Sequence, residues 1–170
     1  MRGATVSTAL SRPPRVVAEQ ILWLRRDIET TPMHVLKLVY LCHGWVLGLT
    51  DQALIDEPVE AWQYGPVVPS VYRRYKSFGR NPITAMPNDE SAVLGERQRA
   101  FIEIVEDVYR DYSALELSSL THQANTPWDT TRRKYGIGAI IPNELIREHY
   151  RELLGEIGPR PAWIASNATS

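Results

Sequence analysis

The chain has 170 residues, of which 44% are hydrophobic and 23% charged, and these values are ordinary for one globular domain. Its formal net charge of −1 disfavours non-specific DNA binding by the whole surface, because such binding needs a basic excess. The single cysteine, Cys42, excludes an intrachain disulfide and a multi-cysteine zinc site, and it fits a reducing cytoplasm. We find no secretory signal pattern and no apolar run of about 18 residues, so we expect no membrane span.

Residues 1–13 are predicted to be a flexible N-terminus, and residues 14–158 are predicted to form the folded domain. Pro14 is a favoured first residue of a helix, which we expect to run to about residue 29. Its apolar residues recur on one face, while Glu19 lies mostly on the opposite, polar face.

A second helix is predicted from Thr31-Pro32, a cap followed by proline, to about residue 49. This segment is apolar nearly all round, which is typical of a buried central helix. Gly44 and Gly48 each weaken the helix by about 1 kcal/mol relative to alanine. Because they are four residues apart, we expect them to let another element approach closely.

The remainder of the chain predicts further helices and little sheet. Short strands are predicted at residues 59–63 and 83–86, with a brief extended piece at 140–141. Helices are predicted at residues 69–78, 94–112, 114–123, 127–135 and 142–157. Residues 159–170 are predicted to be a flexible tail. The fold class is therefore mainly α, a compact single helical domain with a small two- or three-stranded β element.

The residue types and their spacing give little support for catalysis or metal binding. Cys42 could act as a nucleophile with His122 as base and Asn125 as orienter, but Cys42 lies on the apolar stripe, where an inert buried thiol is typical. His34 and His43 are nine residues apart and lie on opposite sides of a helix, so they cannot share a metal ion. We therefore expect no enzyme activity, no metal and no cofactor.

Aromatic residues beside turns are the stronger signal. Trp62 and Tyr64 precede Gly65-Pro66, and Trp128 follows Pro127. Such rings either hold their loops against the core or form a groove for a partner, since tryptophan and tyrosine are favoured interface anchors. Basic side chains at Arg73 and Arg74 allow two interpretations, a solvated helix face or a patch for an acidic protein or nucleic acid.

Three ordered motifs carry a resemblance to a known family. They are KLVYLCHGW at residues 37–45, DEPVEAWQYGPVVPSVY at residues 56–72, and LSSLTHQ at residues 117–123 followed by Pro127-Trp128. Together they resemble the Panacea-domain antitoxin family, the SocA-like and GepA-like proteins. The resemblance covers residues 15–155. It implies a compact, mainly helical domain with a small β element.

The resemblance also implies a cytoplasmic antitoxin that binds and neutralises a toxin encoded beside it. The chain leaves no room for an added DNA-binding domain, so it is similar to the stand-alone form, a proteolytic adaptor that delivers its toxin to the ClpXP protease. We expect no membrane, small-molecule or nucleic-acid partner, and keep a DNA-binding autoregulator and a Cys/His enzyme as alternatives. The predicted toxin contacts are Trp62, Tyr64, Tyr72, Arg73, Arg74 and Trp128. The predicted contacts with ClpX are Trp163 and Ile164 in the tail.

Overall fold

The structure, a computed structural model, describes residues 10–157, which fold as a helical domain with one small sheet. The helices are α1 (Pro14–Leu24), α2 (Pro32–Thr50), α3 (Pro69–Tyr75), α4 (Glu96–Tyr109), α5 (Ala114–Thr121), α6 (Pro127–Tyr135) and α7 (Asn143–Ile157). The strands are β1 (Val59–Trp62), β2 (Gly65–Val67) and β3 (Ile140–Ile141), and a short 3-10 helix, Lys76–Phe78, follows α3. The predicted fold class is confirmed.

Helix α2 is the centre of the domain. It packs against α1, α3, α4, α5 and α7, and every residue from 35 to 44 is buried. By length and composition α2 is long and apolar enough to cross a membrane, but 72% of its most apolar 18-residue window is buried inside the fold, as is typical of a core helix. The prediction of a buried central helix is confirmed.

The contact between α2 and α7 depends on two glycines. A Cβ atom on Gly44 would overlap the ring of Tyr150, and one on Gly48 would lie 2.9 Å from the Tyr150 Cβ. The Tyr150 ring is 3% exposed and makes an edge-on contact with Trp45, with 4.9 Å between ring centroids. The predicted close approach at these glycines is therefore confirmed, and α7 is the approaching element.

The sheet is antiparallel, with the strand order β2-β1-β3. The strand predicted at residues 83–86 is wrong. Ile83 donates its N–H to the Thr30 carbonyl at 2.8 Å but belongs to no strand. Strand β1 pairs with β3 and with β2, which follows it after two residues, because a tight hairpin pairs neighbouring segments at little cost in chain entropy.

Two long-range contacts change what the sequence predicts for α1. The helix ends at Leu24, five residues before its predicted end, and Arg25 turns inward to bond Glu106 and Thr30, each at 3.1 Å. Glu19 is 3% exposed, so its placement on a polar face is wrong. Its carboxylate accepts hydrogen bonds from the Arg74 guanidinium, the Tyr75 hydroxyl and a backbone N–H, which compensate for its burial.

Candidate partner-binding surface

The β1–β2 hairpin and the start of α3 bring three of the predicted aromatic residues into one region. Trp62 ends β1, Tyr64 lies in the two-residue loop before β2, and Pro69 begins α3 at its first turn, where its missing N–H is not needed. We call the exposed side chains of this region, Gln63, Tyr64, Tyr72 and Arg73, the hairpin surface.

Trp62 connects the hairpin to α3. Its ring meets Tyr72 edge-on, with 4.9 Å between ring centroids, and its Nε1–H donates to Glu60 Oε2 at 2.7 Å. Trp62 is itself half-buried, so most of its surface is used inside the domain. Tyr72 rests on it and remains 37% exposed. The pair therefore forms a rigid base with one tyrosine edge in solvent.

Tyr64 is the most exposed aromatic residue of the hairpin, at 66%. Its side chain lies in solvent, while its backbone carbonyl points into the domain and accepts two hydrogen bonds. The donors are Lys37 Nζ at 3.0 Å and Ser118 Oγ at 3.3 Å. The loop thus combines a free ring with a fixed backbone.

Trp128 is buried, with 5% exposure. Its Nε1–H donates to the Trp62 carbonyl at 2.6 Å, His122 packs edge-on at 5.6 Å, and the Arg132 guanidinium lies 5.1 Å from the ring centre. These contacts join α6 to β1 and leave the ring little surface for a partner. Its assignment as a toxin contact stays a prediction, and its observed contacts all lie within the domain.

The two predicted arginines have different surroundings. Arg74 donates to Glu19 Oε1 from Nε at 3.0 Å and from a terminal nitrogen at 2.6 Å, so its charge serves the buried carboxylate. Arg73 is exposed and takes part in no ion pair among residues 10–157. The two predicted tail contacts, Trp163 and Ile164, lie outside the described residues.

Sequence reasoning missed Lys37 as a contributor to this region. It lies in the middle of α2 and is 1% exposed, and its Nζ donates to the carbonyls of Tyr64 and Pro66, the latter at 3.2 Å. Burial lowers the pKa of its ammonium to about 7. Gly65 has a φ of 114°, a conformation that favours glycine, and a Cβ at this position would also overlap the Lys37 nitrogen.

Cys42 and His122, considered for catalysis, and His43, considered as a metal ligand, are placed unfavourably for those roles. Cys42 is fully buried, and burial raises the pKa of its thiol, which disfavours the nucleophilic thiolate. His122 directly follows α5, where its Nδ1 lies 3.4 Å from Ser118 Oγ and its ring packs on Trp128. His43 is also buried, its Nε2–H donates to Asn143 Oδ1 at 3.0 Å, and burial lowers its pKa to about 4.

One open cleft, of about 420 Å³, lies between the 53–58 loop and the start of α7. Asp56, Glu57 and Glu144 give it an acidic lining. Within the part of the chain that the structure describes, no three His, Cys, Asp or Glu side chains come together as metal ligands would.

Comparison with known proteins gives the family. The protein-family model described as "Antitoxin SocA-like, Panacea domain" matches residues 35–129, more than half of the chain. This range includes Lys37, the hairpin, α3 and Trp128. The chain therefore belongs to the SocA-like Panacea-domain antitoxin family. It is similar to Antitoxin SocA of Caulobacter vibrioides (strain NA1000 / CB15N), with 27% identity over 139 residues, which cover 74% of this chain and 74% of that protein. No solved structure matches the chain.

Proposed function

We propose that this chain is an antitoxin of the SocA type, which neutralises a protein toxin by binding it through the hairpin surface. The observation that carries the proposal is Tyr64, a tyrosine that is 66% exposed at a hairpin tip whose backbone is held from inside the domain. A preordered tyrosine loses little entropy on binding, and tyrosine is enriched among residues that dominate interface energies. Membership of the family supplies the class of partner.

The charge around the hairpin surface indicates which charge the binding face of the toxin would carry. Arg73, Lys76 and Arg80 are exposed and make no ion pair with any residue in the range 10–157. A partner that meets these side chains would present an acidic face around an apolar contact. Such complementarity raises the rate of association, and salt weakens it.

The experiment is to co-express the chain with the product of the adjacent reading frame, first showing that this product is toxic alone. Tyr64→Ala is expected to lose protection and to weaken the purified complex by about thirtyfold, the effect of removing an interface anchor. Tyr135→Ala is the matched control, because Tyr135 is 63% exposed but lies at the far end of α6. Equal effects of the two substitutions would refute the hairpin surface as the binding site.

On the family resemblance, we extend the proposal to an adaptor role, in which the antitoxin delivers its bound toxin to the cytoplasmic ClpXP protease. Trp163 and Ile164 are the proposed protease contacts, since a tail raises the effective concentration of cargo at the protease. Removing residues 159–170 should stop toxin degradation and leave toxin binding intact. Normal degradation with the shortened chain would overturn this role.

The exposed cations of α3 and of the 3-10 helix that follows it also support a second candidate, autoregulation by binding the promoter DNA. It requires Arg73 and Lys76 to contact phosphates, so the affinity must fall steeply with salt and be lost in Arg73→Ala. A gel-shift assay with the chain's own promoter distinguishes the two, because toxin binding through Tyr64 needs no DNA.

A further inference from the structure

The loop at the tip of the hairpin is held from inside the domain as well as by its own strand pairing. Trp62 pairs with Gly65, which leaves the two-residue loop Gln63-Tyr64. The favoured two-residue turns need a positive φ inside the loop. Outside glycine, positive φ occurs within residues 10–157 at Asp51 and Asn125 alone, so neither loop residue has it.

The positive φ falls instead on Gly65, at 114°, directly after the loop. A glycine with positive φ directly after the turn is common in hairpins, so the loop can close locally, and contacts from outside the hairpin add to what holds it. Those contacts come from Lys37 on α2 and from Ser118 on α5, which both donate to the Tyr64 carbonyl.

Burying the charged side chain of Lys37 beneath this loop costs free energy. It is 1% exposed, and none of the ion pairs formed within residues 10–157 includes it. The hydrogen bonds to two carbonyl oxygens therefore replace those that its ammonium would make with water. An apolar side chain of the same length would fill the space in α2 without that desolvation. What such a side chain could not do is hold the carbonyls of Tyr64 and Pro66, on either side of Gly65, at one point.

We propose that Lys37 is a positioning residue for toxin binding: by holding the carbonyls of Tyr64 and Pro66 it fixes the loop and presents the Tyr64 ring in its bound orientation. This inference rests on the proposed function of the hairpin surface. Lys37 touches no toxin itself. It acts through the Tyr64 backbone, and its loss increases the conformational freedom that binding must remove.

The test is a double-mutant cycle with Lys37→Met and Tyr64→Ala, using the purified product of the adjacent reading frame as the binding probe. Lys37→Met alone should weaken binding by about tenfold, the value of a hydrogen bond to a charged group. It should weaken binding little further in the Tyr64→Ala background, because the residue it positions is gone. Lys134→Met, at an exposed lysine of α6, is the control and should bind as the unmodified chain does.

Hydrogen exchange on the free antitoxin gives a readout that needs no toxin. Lys37→Met should accelerate exchange in residues 62–68 and leave α6 unchanged. Unchanged exchange there, or full additivity of Lys37→Met and Tyr64→Ala, would overturn the positioning role. If Lys37→Met does not fold, Ser118→Ala removes the other donor to the Tyr64 carbonyl and must show the same exchange change and coupling, in weaker form.

The two proposals fail in different ways. If Tyr64→Ala binds normally while Lys37→Met accelerates loop exchange, the hairpin surface is wrong as the toxin site. If Tyr64→Ala weakens binding and Lys37→Met does not, the surface stands and the positioning role of Lys37 is refuted.

Discussion

Replacing Gly44 by alanine tests the packing of α7 on the central helix. Alanine would strengthen α2 by about 1 kcal/mol through helix propensity. Its methyl group would overlap the Tyr150 ring, which cannot move aside easily because it is 3% exposed and packed edge-on against Trp45 and Tyr40. Overpacking of this kind costs about 3 kcal/mol at the upper end of its usual range, so the free energy of unfolding should fall by about 2 kcal/mol.

Urea and thermal denaturation measure this loss, and about 2 kcal/mol corresponds to a decrease in Tm of roughly 4–8 °C for a chain of this size. Gly155→Ala is the matched control, because Gly155 lies in α7 with nothing within 4 Å of the position its Cβ would take. That variant should gain stability, by about 0.5–1 kcal/mol. If Gly44→Ala proves as stable as the unmodified chain, the close packing of α2 and α7 is refuted.

Three further predictions concern buried charges, each measured by urea denaturation. Glu106→Gln leaves the Arg25 guanidinium, whose side chain is 1% exposed, without its counter-charge and should cost about 3 kcal/mol; a loss below about 1 kcal/mol would contradict this. Burial alone would raise the pKa of Glu19, but its hydrogen bonds, from Asn88 N–H and then Arg74 and Tyr75, hold that pKa below the usual value. The stability that Glu19 contributes is therefore present above about pH 4.5. The loss of unfolding free energy in Glu19→Gln should vanish as the pH falls through the lower, folded-state pKa. Lys37, with its pKa lowered to about 7, binds its proton more weakly in the folded chain than in the unfolded one. From about pH 7 to about pH 10 the free energy of unfolding should therefore rise by up to about 1.4 kcal/mol per pH unit relative to Lys37→Met. A difference between the two chains that does not change with pH would contradict the burial of Lys37 as a charge.

Helices could be predicted wherever a local start signal coincides with local polarity. Thr126 caps α6 by accepting from the Asp129 N–H, and α6 has the predicted bounds; Ser113 caps α5 in the same way. The errors arise where a distant contact decides. Arg25 ends α1 early because it bonds Glu106, which is 81 positions away, and nothing near Arg25 in the chain signals that partner.

Strand β2 shows the same limit. Gly65-Pro66 is typical of a turn, since proline lacks an N–H and glycine relaxes the backbone. The segment is a strand because β1 pairs with it on one side and α2 and α5 contact it from within the fold, which are tertiary facts.

In the candidate site, the aromatic residues could be predicted and the residue beneath them could not. Trp62 and Tyr64 stand out as large rings beside a Gly-Pro pair. A lone lysine in an apolar helix usually extends its stem toward solvent, so the residue type of Lys37 does not itself indicate full burial. The signal that exists is its place within a helix that is apolar on every side, where no face is left for a charge to reach water.

Hydrogen exchange of the toxin–antitoxin complex tests the central claim most directly. The chain, purified alone and with the product of the adjacent reading frame, should show strong protection on binding at residues 62–73 and little change at Tyr112, which is 41% exposed and packed on Tyr109 much as Tyr72 is on Trp62. Protection centred on Tyr112, with unchanged exchange at residues 62–73, would contradict the account.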